Sequence, residues 1–182
     1  MILIINICKE ELHELEFVKP IADILRKRKI NFEIKHYKEI NEKNIKKFDK
    51  IIIAGTSLKD NQFLESVPKL QWIKLYNKPI LGICAGMQIF GKIFGCEVYD
   101  KAIIGQEEIK ITQKNDLIEE EDPFYSYFLN NKTIKLTKDF EVLARGNEIE
   151  AVIKHKSKRV YGCLFHPEVM NSEIIVNFCK FI

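Results

Sequence analysis

The chain has 182 residues, long enough for one well-buried domain and short for two, so residues 1–182 are read as a single domain. Its 46% hydrophobic and 30% charged residues are those of a soluble globular protein, and a net charge of +3 spread along the chain gives no footing for a nucleic-acid partner. No apolar run approaches a membrane span, and five scattered cysteines without a Cys-x-x-Cys pair argue against a disulfide framework or a zinc site and for a reducing, cytoplasmic setting.

Strand and helix patterns alternate through the first half. Met1–Ile7 has neither a basic n-region nor a cleavage site, so residues 1–8 read as a buried strand rather than a signal segment. Residues 10–28 carry Leu12, Leu15, Val18, Ile21, Ile24 and Leu25 at helical spacing, with a break or kink expected at Pro20. The cluster Arg26-Lys27-Arg28-Lys29 suits the solvated C-terminal turn of that helix. There follow a strand at 31–37, a short helix near 41–48, a buried strand at 50–54 and a helix-like segment with Leu70, Trp72, Ile73 and Leu75. A strand at 79–83 and a helix at 86–94 complete this half.

The second half reads as strands at 102–112, 133–136, 140–144, 148–154 and 159–165, several of them antiparallel. An acidic surface loop lies at 115–122, and a closing helix runs over 173–181 with Asn171 or Ser172 as N-cap. Strands alternating with helices and near-continuous Ile runs imply an α/β three-layer domain. Its central sheet should be mostly parallel, with an additional antiparallel portion in the C-terminal half.

Two stretches carry chemistry. Pro79–Gln88 is an apolar strand ending in Gly82-Ile83-Cys84-Ala85-Gly86 and passing into a helix, the pattern of a nucleophile elbow that holds Cys84 at the tip of a sheet. Phe165-His166-Pro167-Glu168 supplies a base and a carboxylate two residues apart, so Cys84, His166 and Glu168 make a nucleophile, a general base and an orienting acid. Ligands of parallel sheets bind at the carboxyl ends of the strands, where Ala54-Gly55-Thr56-Ser57 should meet these two stretches. The Ala85 N–H, with a second donor from the 55–57 turn, is placed to hold an oxyanion. Gln88, one helical turn beyond Cys84, offers an amide to a polar substrate. The other cysteines (Cys8, Cys96, Cys163, Cys179) read as small buried hydrophobes, His13, His36 and His155 as surface or packing residues, and Trp72, Phe90 and Phe94 as core.

The Gly-x-Cys-x-Gly-x-Gln elbow with a distal His-Pro-Glu resembles the class I (triad) glutamine amidotransferases, in order and spacing over nearly the whole chain. Within that family, residues 80–84, 160–169 and 177–180 are most similar to the free-standing glutaminase subunits of archaeal GMP synthetases. The resemblance implies hydrolysis of glutamine through a thioester on Cys84, with His166 shuttling the proton, Glu168 orienting it and Gln88 holding glutamine. It implies no cofactor or metal in this chain. Ammonia would pass to a separate ATP-dependent synthetase subunit acting on XMP, since no P-loop or pyrophosphatase motif stands here.

Two departures stand out. Where the family reads Ser-Gly-Gly-Pro, this chain has Ala54-Gly55-Thr56-Ser57, and Thr56 is costly there if the position needs positive φ. The family's Ser-His pair corresponds to the stretch 126–131, with Ser126 and no His, which leaves Tyr127 and Phe128 as expected substrate contacts. A Cys-His-Glu hydrolase of another γ-glutamyl or amide substrate, or a catalytically impaired regulatory homologue, remains compatible with the same residues.

Overall fold

The computed structural model describes residues 1–60 and 62–182. Nine strands form one mixed sheet in the order β2-β1-β3-β4-β9-β8-β7-β5-β6. At one end β2 (Phe32–His36), β1 (Ile2–Asn6), β3 (Lys50–Ile53), β4 (Ile80–Ile83) and β9 (Val160–Cys163) run parallel. At the other, β8 (Ile149–His155), β7 (Phe140–Gly146), β5 (Glu97–Ile111) and β6 (Phe124–Lys135) are antiparallel. The helices α1 (Glu11–Phe17), α2 (Lys19–Lys27), α3 (Glu42–Ile45), α4 (Ala85–Ile93) and α5 (Ser172–Phe181) lie around the sheet. This is the expected α/β class.

The parallel strands are the continuous Ile and Leu runs: every residue of β1 and β4 is buried, as strands covered on both faces must be. Packing at the centre depends on two glycines side by side in the register, Gly82 on β4 and Gly162 on β9. A Cβ on either would stand 2.5 Å from the Phe90 ring of α4, so only glycine lets this helix lie close on both strands. That contact fixes the direction in which the chain leaves β4. Among the described residues, no helix is long and apolar enough to cross a membrane.

The break expected near Pro20 is present, and four details depart from the sequence reading for physical reasons. The long helix divides at Val18, and Pro20 falls in the first turn of α2, where its missing N–H has no partner to lose. The restart breaks the 3.6-residue stripe: α1 buries Phe17, while Leu12 and Leu15 point outward at 68% and 58% exposure. The segment Gln62–Lys74 is a run of 3-10 turns, with Pro68 inside it unable to join an α-helical ladder, although Trp72 and Ile73 are buried as expected. Strand β6 begins at Phe124, well before the expected 133, because its inward positions include Ser126 and Asn130, which hide an alternating pattern. Asn171 is the N-cap of α5, but its side chain donates to the Tyr125 carbonyl at 3.2 Å instead of capping.

Candidate active site

The turn after β4 holds Cys84 at φ 49°, ψ −106°, outside the regions an L-residue ordinarily adopts. Strain of this kind costs about 1–3 kcal/mol and persists only where neighbours enforce it. Here the Cys84 N–H donates to the Cys163 carbonyl at 2.7 Å, and its carbonyl accepts the Gln88 N–H at 3.2 Å. The thiol is buried at the N-terminus of α4, and Sγ lies 3.6 Å from the Leu129 carbonyl oxygen. Ala85 is the first residue of that helix, so its N–H is one of those a helix leaves without an intrahelical partner.

His166 follows β9 and is pinned from three directions. Its N–H donates to the Tyr127 carbonyl at 2.8 Å, its ring packs on Phe17 at 5.5 Å between centroids, and Nδ1 meets Glu168 Oε1 at 2.7 Å. A neutral imidazole donating from Nδ1 leaves the lone pair on Nε2, which is buried and without a partner. Burial disfavours the imidazolium, but the negative charges of Glu168 and of an ionised Cys84 outweigh it, so the pKa of His166 stands well above the usual 6.5.

Gly55 completes the triad's packing. A Cβ there would meet His166 Cε1 at 2.7 Å and Cys84 Cβ at 3.5 Å, so the Cys84 and His166 side chains meet above this residue. The neighbouring Thr56 is not among the residues at positive φ (Lys29, Cys84 and Glu148, besides glycines), so a β-branched side chain is unstrained there. Its hydroxyl instead donates to Asp60 Oδ2 at 3.0 Å, and the Lys9 N–H donates to the same oxygen at 2.6 Å.

A cavity of about 10 Å³ adjoins Cys84, walled by Thr56, Leu58, Asp60 and Gln88 on one side and by Leu129–Asn131 of β6 on the other. The walls are joined by Asn131 Nδ2, which donates to the Leu58 carbonyl at 2.7 Å. Gln88 is buried in this cavity with its amide donating to the Lys132 carbonyl at 2.9 Å.

The structure thus brings together Cys84, His166, Glu168, Gly55, Thr56, Ala85 and Gln88. It does not bring Phe128 to the cavity: that ring is wholly buried and packs edge-on against Phe165 at 5.6 Å, and Tyr127 enters only through its carbonyl on His166. The wall expected from those two residues is supplied by Leu129, Asn130 and Asn131. Asp60 was missed as well. Two adjacent asparagines inside a strand, where their propensity is low, are the one signal that marks this wall in sequence.

Against known proteins, residues 13–178 match the family model Glutamine amidotransferase class-I. The chain is 35% identical over 139 residues to the A-type subunit of the glutamine-hydrolyzing GMP synthase of Methanococcus aeolicus, covering 70% of this chain and 73% of the relative. It is also 35% identical over 140 residues to the protein of the same description from Pyrococcus furiosus, covering 71% and 73%. The crystal structure of a putative GMP synthase subunit of the same type from Thermoplasma acidophilum superposes with a TM-score of 0.86 at 21% identity, over 98% of this chain and 91% of that one.

Proposed function

The chain belongs to the class-I glutamine amidotransferase family, and from that premise we propose that it is the glutaminase subunit of a two-subunit GMP synthetase. In this reading the Cys84 thiolate attacks the side-chain amide carbon of glutamine. The developing oxyanion is held by the Ala85 N–H and by an N–H of the Gly55–Thr56 turn. His166 delivers its proton to the departing nitrogen, releasing ammonia and leaving a γ-glutamyl thioester on Sγ. Water, deprotonated by the same Nε2, then attacks the thioester, and glutamate leaves. Glu168 keeps the ring in the tautomer and orientation this shuttle needs. Ammonia passes to a separate ATP-dependent synthetase subunit whose acceptor is XMP.

The observation that carries this reading is the buried, unpartnered Nε2 of His166, beside an elbow cysteine and fixed from behind by Glu168. A histidine serving only to pack would satisfy both ring nitrogens. The relatives' description as subunits of a glutamine-hydrolyzing GMP synthase supports both the substrate and the separate partner. The cavity beside Cys84, at about 10 Å³, has room for a water molecule and not for an amino acid, so glutamine binding calls for its lining, which includes Leu58 and Asn131, to widen. A partner that opens it would keep the subunit from wasting glutamine alone.

The test is alkylation by 6-diazo-5-oxo-L-norleucine, read by intact mass and peptide mapping with and without the synthetase subunit. An adduct confined to Cys84 and blocked by glutamine is expected. No adduct in the complex, while iodoacetamide still reaches Cys84, would overturn the reading.

A further inference from the structure

Two acceptor oxygens in the cavity wall have no donor. Asp60 is 5% exposed: its Oδ2 takes the Thr56 hydroxyl and the Lys9 N–H, while Oδ1 is buried without a partner. Asn130 is 2% exposed: its Nδ2 donates to the Lys132 carbonyl at 3.0 Å, while Oδ1 is likewise unpartnered. The two residues come from different elements, the loop after β3 and strand β6, and line the same cavity as Cys84.

A buried carboxylate oxygen left unpaired is expensive, and a cation with N–H donors is what relieves it. Among the described residues, no Lys, Arg or His side chain forms an ion pair with Asp60. Lys9 reaches it through its backbone N–H, and its Nζ lies near Glu10 instead. The titratable neighbour Cys8 brings no positive charge, and burial together with the charge of Asp60 pushes its thiol up to about 11. The two acceptors are therefore left unmet by the chain's own donors, in residues that line the cavity.

We propose that Asp60, with Asn130, reads the α-ammonium group of the substrate. The inference rests on the glutaminase reading and names the determinant that separates a free α-amino acid from other side-chain amides. Glutamine carries one cation, its α-ammonium, and one anion, its α-carboxylate. A buried Asp60 accepts the first and repels the second, which fixes the direction in which the amino acid lies along the pocket. Thr56 acquires a role in the same step. Its hydroxyl ties down Oδ2, so that Oδ1 alone is left for the ligand, and a glycine there would leave the carboxylate free to turn.

The experiment compares the rates at which Cys84 is alkylated by 6-diazo-5-oxo-L-norleucine and by 6-diazo-5-oxohexanoate, the same reagent without the amino group, in the complex with the synthetase subunit. A charge-assisted contact of this kind is worth about tenfold or more, so the wild-type protein should prefer the ammonium-bearing reagent by at least that factor. Asp60→Asn, which keeps the shape and the acceptor for Lys9, should lower the preference by about tenfold. A wild-type ratio near one overturns the proposal without recourse to any variant. So does an Asp60→Asn protein in which both rates fall together, the mark of a purely structural aspartate or of an oxygen that only ever binds water. Failure of both diazoketones to alkylate Cys84, while iodoacetamide does, would instead remove the glutaminase reading and this inference with it.

Discussion

On the β4–β9 side of the site, Cys84 and His166 are each held by more than one contact, while Glu168 is tied through His166 Nδ1. Cys84 is tied to Cys163 and Gln88 through its backbone, and His166 is fixed by Tyr127, Phe17 and Glu168, with Gly55 closing the space behind it. On the other side, the loop at 56–60 and residues 129–131 of β6 enclose about 10 Å³, are joined by the Asn131–Leu58 hydrogen bond and carry two acceptor oxygens without donors. The half that carries Cys84 and His166 is fixed by several contacts, and the cavity half is too narrow for an amino acid. A difference of this kind is what a subunit needs if it must have competent chemistry ready and yet not run it until substrate and partner arrive.

Breaking the finished half should have the largest effects. Glu168→Gln is expected to lower Cys84-dependent glutamine hydrolysis by the assembled complex on the order of 10³-fold, because the ring loses the partner that sets its tautomer. The same variant has a signature in stability. His166 has a folded-state pKa raised above its unfolded value, so proton binding favours the fold fully below pH 6.5 and the contribution disappears as pH rises through the raised value. Denaturation midpoints of Glu168→Gln and the native protein should therefore lie furthest apart near pH 6 and converge at strongly alkaline pH. A constant gap across that range would mean that Glu168 acts on the fold by packing and not through the imidazolium.

Two glycine substitutions separate chemistry from fold. In Gly55→Ala the new methyl falls 2.7 Å from His166 Cε1, and the displaced ring should cost about 10²-fold in activity with little loss of stability. In Gly82→Ala it falls 2.5 Å from the Phe90 ring and from the backbone of Gly86, and overpacking there should cost about 1–3 kcal/mol or more in denaturant titrations. If both variants lost stability equally, the triad would not be a separately positioned layer on the scaffold.

The cavity half can be sharpened by loosening it. Asn131→Ala removes a hydrogen bond from side chain to backbone between the walls, a stability loss of about 0.5–1.5 kcal/mol. Iodoacetamide should then reach Cys84 several-fold faster in the isolated subunit. An unchanged rate would place the barrier elsewhere in the wall.

What could be read from sequence follows the same division. The parallel strands are short, wholly apolar runs such as Ile2–Ile5 and Ile51–Ile53, and the elbow and the His-Pro-Glu stretch are local patterns whose meaning lies in adjacent residues. Cys84, His166 and Glu168 were legible for that reason. The recognition wall is assembled from the loop after β3 and the middle of β6, over 60 residues apart in sequence and far apart in the order of the sheet. Nothing local in Asp60 or Asn130 announces a cavity. The inward polar residues of β6 also mask the strand itself, and Phe128 draws notice as a bulky residue near the site when its ring is spent on Phe165. Thr56 stands out against the family pattern, but its reason, the bond to Asp60, is a tertiary contact.

The smallest expected effect concerns α1, where the periodicity misleads. Leu12, Leu15, Val18 and Ile21 look like one apolar stripe, yet the restart at Val18 leaves the first two in solvent and buries the last two completely. Ile21→Ala should therefore cost about 2–5 kcal/mol, whereas Leu12→Ser and Leu15→Ser should stay within about 0.5 kcal/mol in the isolated subunit. The contrast tests the outward orientation of α1, since a helix that packed Leu12 and Leu15 against the core would make them as sensitive as Ile21. It also bears on the site, because α1 ends in Phe17, the ring against which His166 rests. A short helix anchored through Phe17 and through Glu14, which accepts from Asn6 Nδ2 at 2.8 Å, can keep those contacts while its outer face changes freely, so the serine variants should leave Cys84 alkylation as fast as in the native protein.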